Sequence, residues 1–372
     1  MILMAVKLNT ILIVSLLTPF TPSNAPGTSQ VDNDALNDQL TPTAKGEVVA
    51  ELARSIWYVF QDSKDNYWFG SDGQGVYRFD GTIITHFTTR DGLCNDHIRG
   101  IQQHKSGDIL ITTLDGVSKF DGQRFTTLPV MEYDAPDQGW VLNPDDVWLP
   151  WQTGQMGPYR YDGQTLYHLK FPKHPREDEY YATPRNHLSS PYEVYCVYED
   201  RRGHMWFGTS IFGICRFDGK TLDWMYEDHL TEIKDSGWFG IRSIIEDRRG
   251  AFWFCNTQYR YAVQPHGALQ DNGQIVYTRE KGMNLSGTSL QEKFFYFMSI
   301  TEVSNGDLWM ATYGGGAWRY DGKTMTHYHV RDDGKDVTMF SIYRDTHGDL
   351  WLGTQEAGAY KFNGRTFEKF RL

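Results

Sequence analysis

The residues best able to move protons gather in one segment, 170–193, which holds His174, Tyr180, Tyr181, Arg185, His187 and Tyr192. A histidine or tyrosinate can remove a proton beside a carboxylate, a phenol can protonate a departing oxygen, and a guanidinium can neutralise the acid. The set suits β-elimination from a uronate, and His187, Tyr192 and Arg185 are the residues such a lyase would use. A second chemistry, recognition without reaction, draws on a wider set: Trp140, Trp151, Tyr181, Arg185, Trp238, Arg242, Arg99 and Tyr296. Flat aromatic rings beside guanidinium groups suit a sugar, whose C–H face stacks while arginine grips a carboxylate or sulfate with two parallel hydrogen bonds.

Other residue types carry less. His327-Tyr328-His329 puts two imidazoles on one side of a strand, and surface placement explains them without a metal. No phosphate-cradling glycine loop, nucleophile elbow or Asp-rich calcium loop occurs. Neither a metal nor a cofactor is expected. Cys94, Cys196, Cys215 and Cys255 have no zinc-like spacing, and their even number permits disulfides without requiring them.

The elements that must position these side chains are short strands in a repeat. An anchor recurs in one register at Trp68, Leu110, Trp148, Trp206, Trp253, Trp309 and Trp351. An aromatic-Asp/Asn-Gly turn follows, as in Phe79-Asp80-Gly81, Phe217-Asp218-Gly219 and Phe362-Asn363-Gly364, whereas repeat five has Asp271-Asn272-Gly273 displaced by an insertion. Turn chemistry cuts each unit into four strands, for example at Asp247-Arg248-Arg249-Gly250, where Asp bonds forward to turn amides and Gly supplies positive φ. Seven such units predict an all-β fold, a seven-bladed β-propeller of four-stranded antiparallel blades, since a lone blade cannot bury both faces. Recurrence at a fixed position marks the Trp anchors as inter-blade packing and the repeated Asp residues as turn formers.

The pattern resembles the two-component-regulator propeller family, whose repeat is read here as Ser341-Ile342, Asp345, Gly348, Trp351-Leu352-Gly353-Thr354 and Gly358-Ala359-Tyr360-Lys361-Phe362-Asn363. The resemblance covers residues 56 to 370. Repeats two, three and five depart from it: Leu110 replaces Trp, the third lacks an evident Asp-x-x-Gly turn, and Cys255-Asn256 replaces Gly-Thr. It implies the ligand-sensing part of a sensor kinase, often glycan-directed, here as the sensor half alone, with a separate membrane sensor protein as partner. By fold analogy alone, propellers also include polysaccharide and streptogramin-type lyases.

Insertions fall at 129–146, 170–193, 227–240, 279–296 and 331–338, between the last strand of one unit and the first of the next, and are expected to converge on one mouth of the channel. A formal charge of −11 argues against nucleic-acid binding. Residues 1–25 read as a signal peptide: Lys7, an apolar run from Leu8 to Leu17, and Ser23-Asn24-Ala25 for cleavage. Residues 26–54 read as a flexible leader and 55–372 as the propeller, with Glu47 to Leu52 a candidate extra strand on the last blade. The expectation is a periplasmic or secreted monomer that binds a glycan or another small molecule; the alternatives are a lyase on the same face and a protein-interaction scaffold.

Overall fold

A computed structural model describes residues 43–372, apart from 134, 136–137, 151–156, 183–189, 228–229, 234–236, 265–268, 271–273, 287, 289–296 and 314. The protein is a β-propeller of four-stranded antiparallel sheets. Repeat one supplies strands Ile56–Gln61, Tyr67–Ser71, Val76–Phe79 and Ile84–Phe87, and repeats two, four, six and seven follow the same order, beginning at Ile98–Gln103, Val194–Glu199, Phe297–Glu302 and Met339–Arg344. Repeat five starts later, at Ile244–Glu246.

Three repeats read Asp-x-x-Gly-x-x-Trp, and repeat one has Asp65 at positive φ in the Gly place; all four show why the Asp and Trp are specified. Oδ1 of Asp62, Asp200, Asp247 and Asp345 accepts the amides two and four residues on, which shapes the turn. Oδ2 of the same residues accepts the indole N–H of Trp68, Trp206 and Trp253 at 2.8 Å and of Trp351 at 2.9 Å. One carboxylate therefore fixes both the hairpin and the rotamer of the ring that packs between sheets. Each of the seven anchors also faces a cation on the next strand: Arg78, Lys119, Arg160, Arg216, Arg260, Arg319 and Lys361.

Packing runs one way round. Trp68 meets Phe120, Trp148 meets Phe217, Trp206 meets Phe252, Trp253 meets Tyr320, Trp309 meets Phe362, and Trp351 returns to Phe69 of repeat one. The inner strands touch in the same cycle, with Val147–Leu149 of repeat three between Ile98–Gln103 and Val194–Glu199. Repeats seven and one share a single bridge, Ile56 to Thr354, reinforced by the Thr346 amide on Gln61 Oε1 at 2.8 Å.

Two expectations need correction. Glu47–Val49, placed in a flexible leader and considered as a strand of the last blade, pairs instead with Ile84–Phe87 of repeat one. The free edge of that outer strand offers unpaired backbone groups that an extended segment satisfies. Repeat three is not wholly antiparallel: among the described residues it has no inner strand of its own, and Val130–Glu132 runs parallel to Leu166–His168 on the outer edge. Gly139 and Pro144 break the stretch where an inner strand would form.

Candidate functional site

Near the start of the inner strand, five repeats carry a β-bulge at one register position. Ile56 faces Ser71 and Tyr58 faces Gly70, so Trp57 has no residue opposite it. The same shift isolates Arg99, Tyr195, Met298 and Phe340. In repeat five the Ile241 amide bonds Thr209 O and the Cys255 amide bonds Ser243 O, which leaves Arg242 at the equivalent place. Bulges re-aim side chains out of the ladder, and because these inner strands touch in a cycle, the bulged residues line one rim of the ring.

The rim forms two aromatic–guanidinium shelves. On one, Phe340 stacks on Trp57 at 3.9 Å with 10° between the planes, and the Arg99 guanidinium lies 4.8 Å from the Trp57 ring. Asp72 Oδ1 accepts Arg99 at 3.0 Å and stands 2.7 Å from His97 Nδ1. On the other, Arg242 lies 4.3 Å from the Tyr195 ring and 4.8 Å from Phe239. Its Nε donates to Phe239 O at 3.1 Å. The Tyr195 hydroxyl donates to Glu193 at 3.3 Å, and burial pushes that phenol up to about 12, so it stays protonated.

The peptide joining Ile241 to Arg242 is held from both sides. Cys196 Sγ donates to its carbonyl at 3.3 Å, and its N–H donates to Cys255 Sγ at 3.0 Å. Peptide C=O and N–H point in opposite directions, so these two free thiols flank the peptide rather than face each other. Burial raises both thiol pKa values, Cys255 to about 11, and keeps them protonated. Cys255-Asn256, in place of Gly-Thr, thus fixes the residue that carries Arg242.

Of the residues selected from sequence, Arg99 and Arg242 lie on this rim. Trp140 is taken up in packing: it stacks on Trp148 at 5.7 Å, meets Phe207 and Phe217 edge-on, and donates its indole N–H to Lys170 O. Tyr192 is fully buried, its hydroxyl donating to Glu177 and accepting the His174 amide at 2.7 Å. His174 itself stacks on Phe212 at 4.4 Å, and burial lowers it to about 4, so the imidazole is neutral. Tyr181 ends a short helix, α1 (Glu177–Ala182), with its ring exposed. Trp238 lies in a two-stranded ribbon opposite Glu232. Trp151, Arg185, His187 and Tyr296 lie outside the described residues.

Trp57, Tyr195, Phe340, Asp72 and His97 were not singled out from the sequence. For Trp57, Tyr195 and Phe340 the signal was a variable residue inside an apolar frame: Ile-Trp-Tyr-Val, Ile-Arg-Gly-Ile, Val-Tyr-Cys-Val and Met-Phe-Ser-Ile align at their first and last positions, and the second carries a large aromatic or cationic side chain. A separate cleft of about 840 Å³ lies between repeats six and seven, lined by Trp309, Arg319, Asp349 and Lys361. Two of its cations are ion-paired, Arg319 with Asp307 and Lys361 with Asp349 at 2.8 Å.

Residues 188–210 and 333–356 match the family model described as two component regulator propeller. No curated protein matches the chain. Solved structures with the same fold include the extracellular domain of a protein named as a hybrid two component system of B. thetaiotaomicron, with 19% identity and a TM-score of 0.54. A second such domain from the same organism has 17% identity and a TM-score of 0.54. The alignments cover 86% and 83% of this chain, which spans 40% of each of those proteins. Virginiamycin B lyase from Staphylococcus aureus is similar at 13% identity and a TM-score of 0.55, over 85% of this chain and 98% of the lyase.

Proposed function

We propose, from the premise that this chain carries two component regulator propeller repeats, that it is a seven-bladed, extracytoplasmic ligand-binding propeller resembling the sensor domains of hybrid two-component systems. Seven anchor–cation cross-strand pairs and the one-way cycle of anchors support the count. The apolar run from Leu8 to Leu17 and the extracellular origin of the similar domains support the location. No helix among the described residues is long and apolar enough to cross a membrane. The partner in this proposal is a separate membrane protein that reads the bound state.

The ligand we propose is a glycan held on the rim. The carrying observation is the pair of aromatic–guanidinium shelves at equivalent places on the inner strands, which offer aromatic rings and, at Arg242, a cation for polar groups. The test incubates protein lacking residues 1–25 with neutral, uronic and sulfated polysaccharides, following melting temperature and absorbance near 235 nm. A melting rise that disappears in Trp57→Ala, without new absorbance, is the expected result. A panel that shifts nothing overturns the glycan reading.

A lyase reading keeps one observation in its favour: His97 stands 2.7 Å from Asp72 beside Arg99, an arrangement able to orient an imidazole base. Growing absorbance near 235 nm, abolished by His97→Ala, would establish it in place of simple binding.

A further inference from the structure

We infer that the rim contains one anion receptor, that it is Arg242 and not Arg99, and that the ligand presents a carboxylate or sulfate to it. The inference rests on the rim being the ligand face. The two arginines occupy equivalent places at the start of inner strands, Arg99 at a bulge and Arg242 just before its strand, and both lie over aromatic rings, yet their charges are in opposite states. Arg99 is spent within the protein: NH1 donates to Asp72 at 3.0 Å and to Ile98 O at 2.9 Å, and only 12% of its side chain is exposed. Asp72 cancels its charge, which leaves Arg99 to hold the Trp57 shelf and join repeats one and two.

Arg242 has no carboxylate within ion-pair distance among the described residues. Its Nε is committed to Phe239 O, and among the described residues the edge made by its two terminal nitrogens has no hydrogen-bond partner. That edge presents two parallel N–H donors, the geometry that grips a carboxylate or sulfate through two oxygens. Tyr195 and Phe239 hold the guanidinium by their ring faces, and the two thiols hold its backbone peptide, so little conformational freedom is lost when an anion binds. The nearby acid, Glu193, is buried and occupied by the Tyr195 hydroxyl. A chain with a formal charge of −11 repels polyanions at long range, so any preference for them must come from such a local site.

The experiment titrates the full-length mature protein by calorimetry with dextran, dextran sulfate and polygalacturonate, at two salt concentrations. The wild type is expected to favour at least one anionic polymer over dextran by about ten-fold or more, and which of the two is favoured separates sulfate from carboxylate. Arg242→Ala should erase that preference, and Arg242→Lys, which keeps the charge but loses the two-pronged geometry, should retain only part of it. Arg99→Ala should weaken all binding alike and leave the ratio unchanged. Melting curves of Arg242→Lys and Arg242→Ala check that the fold is intact. Equal affinity for dextran and both polyanions, with binding still lost in Trp57→Ala, overturns the receptor and leaves the rim standing. Preference lost in Arg99→Ala but kept in Arg242→Ala assigns the charge wrongly and also overturns it. Absence of any binding removes both the receptor and the glycan reading.

Discussion

The Asp345 carboxylate serves several donors at once: two turn amides, the Trp351 indole and, at 2.7 Å, the hydroxyl of Tyr67 across the seam. Burial alone would raise its pKa, but hydrogen bonds from Tyr67 and Trp351 outweigh burial and lower it below 3.8. A lowered native pKa makes stability that is present above the unfolded value and lost as pH falls through the native one. The melting temperature should therefore drop below about pH 4 more steeply in the wild type than in Asp345→Asn. At neutral pH Asp345→Asn should cost about 1–3 kcal/mol, since the amide nitrogen cannot accept from the indole. Trp206→Ala, which empties a buried anchor site, should cost about 3–5 kcal/mol by chemical denaturation. The repeat made these residues legible as structural. It could not separate Arg99 from Arg242, because the acid that neutralises Arg99 lies 27 residues away, just past the end of Tyr67–Ser71 in the preceding repeat.

At the scale of the element, the glycine of Trp-x-Gly-Thr shows how one blade makes room for the next. A Cβ on Gly208 would press on Ile241 O and lie 2.6 Å from Cys196 Sγ, and one on Gly353 would lie 2.6 Å from Trp57 O. Both glycines have ordinary φ, so close approach by the neighbouring inner strand, and not backbone conformation, demands them. Gly208→Ala should destabilise the protein by about 1–3 kcal/mol and, because it displaces the Ile241–Arg242 peptide, weaken ligand binding beyond what its melting shift explains. Four-strand units were readable from turn chemistry. The parallel strand of repeat three was not, because its partner, Leu166–His168, lies more than 30 residues on, a fact about neighbours and not about Val130–Glu132 itself.

Across the whole molecule, stability depends on closing the cycle. Repeat seven holds repeat one through the Ile56–Thr354 bridge, the stack of Phe340 on Trp57 and the contact of Trp351 with Phe69. Truncation before Met339 should abolish the single cooperative melting transition seen by calorimetry, because it exposes two blade faces at once. Removing residues 43–50 should lower the melting temperature by only a few degrees, since Glu47–Val49 covers an outer edge and buries little. All four cysteines are free, so reductant should leave the melting temperature unchanged.

The sequence by itself determined the repeat unit, its four strands and the packing role of the anchors, because these follow from periodicity and local turn chemistry within about 40 residues. Tertiary structure decided which aromatic residues reach the rim, which arginine keeps its charge and where Trp140 and Tyr192 are consumed in packing. Those outcomes turn on contacts between repeats, where burial and charge partners come from strands distant in the chain, and no local pattern encodes them.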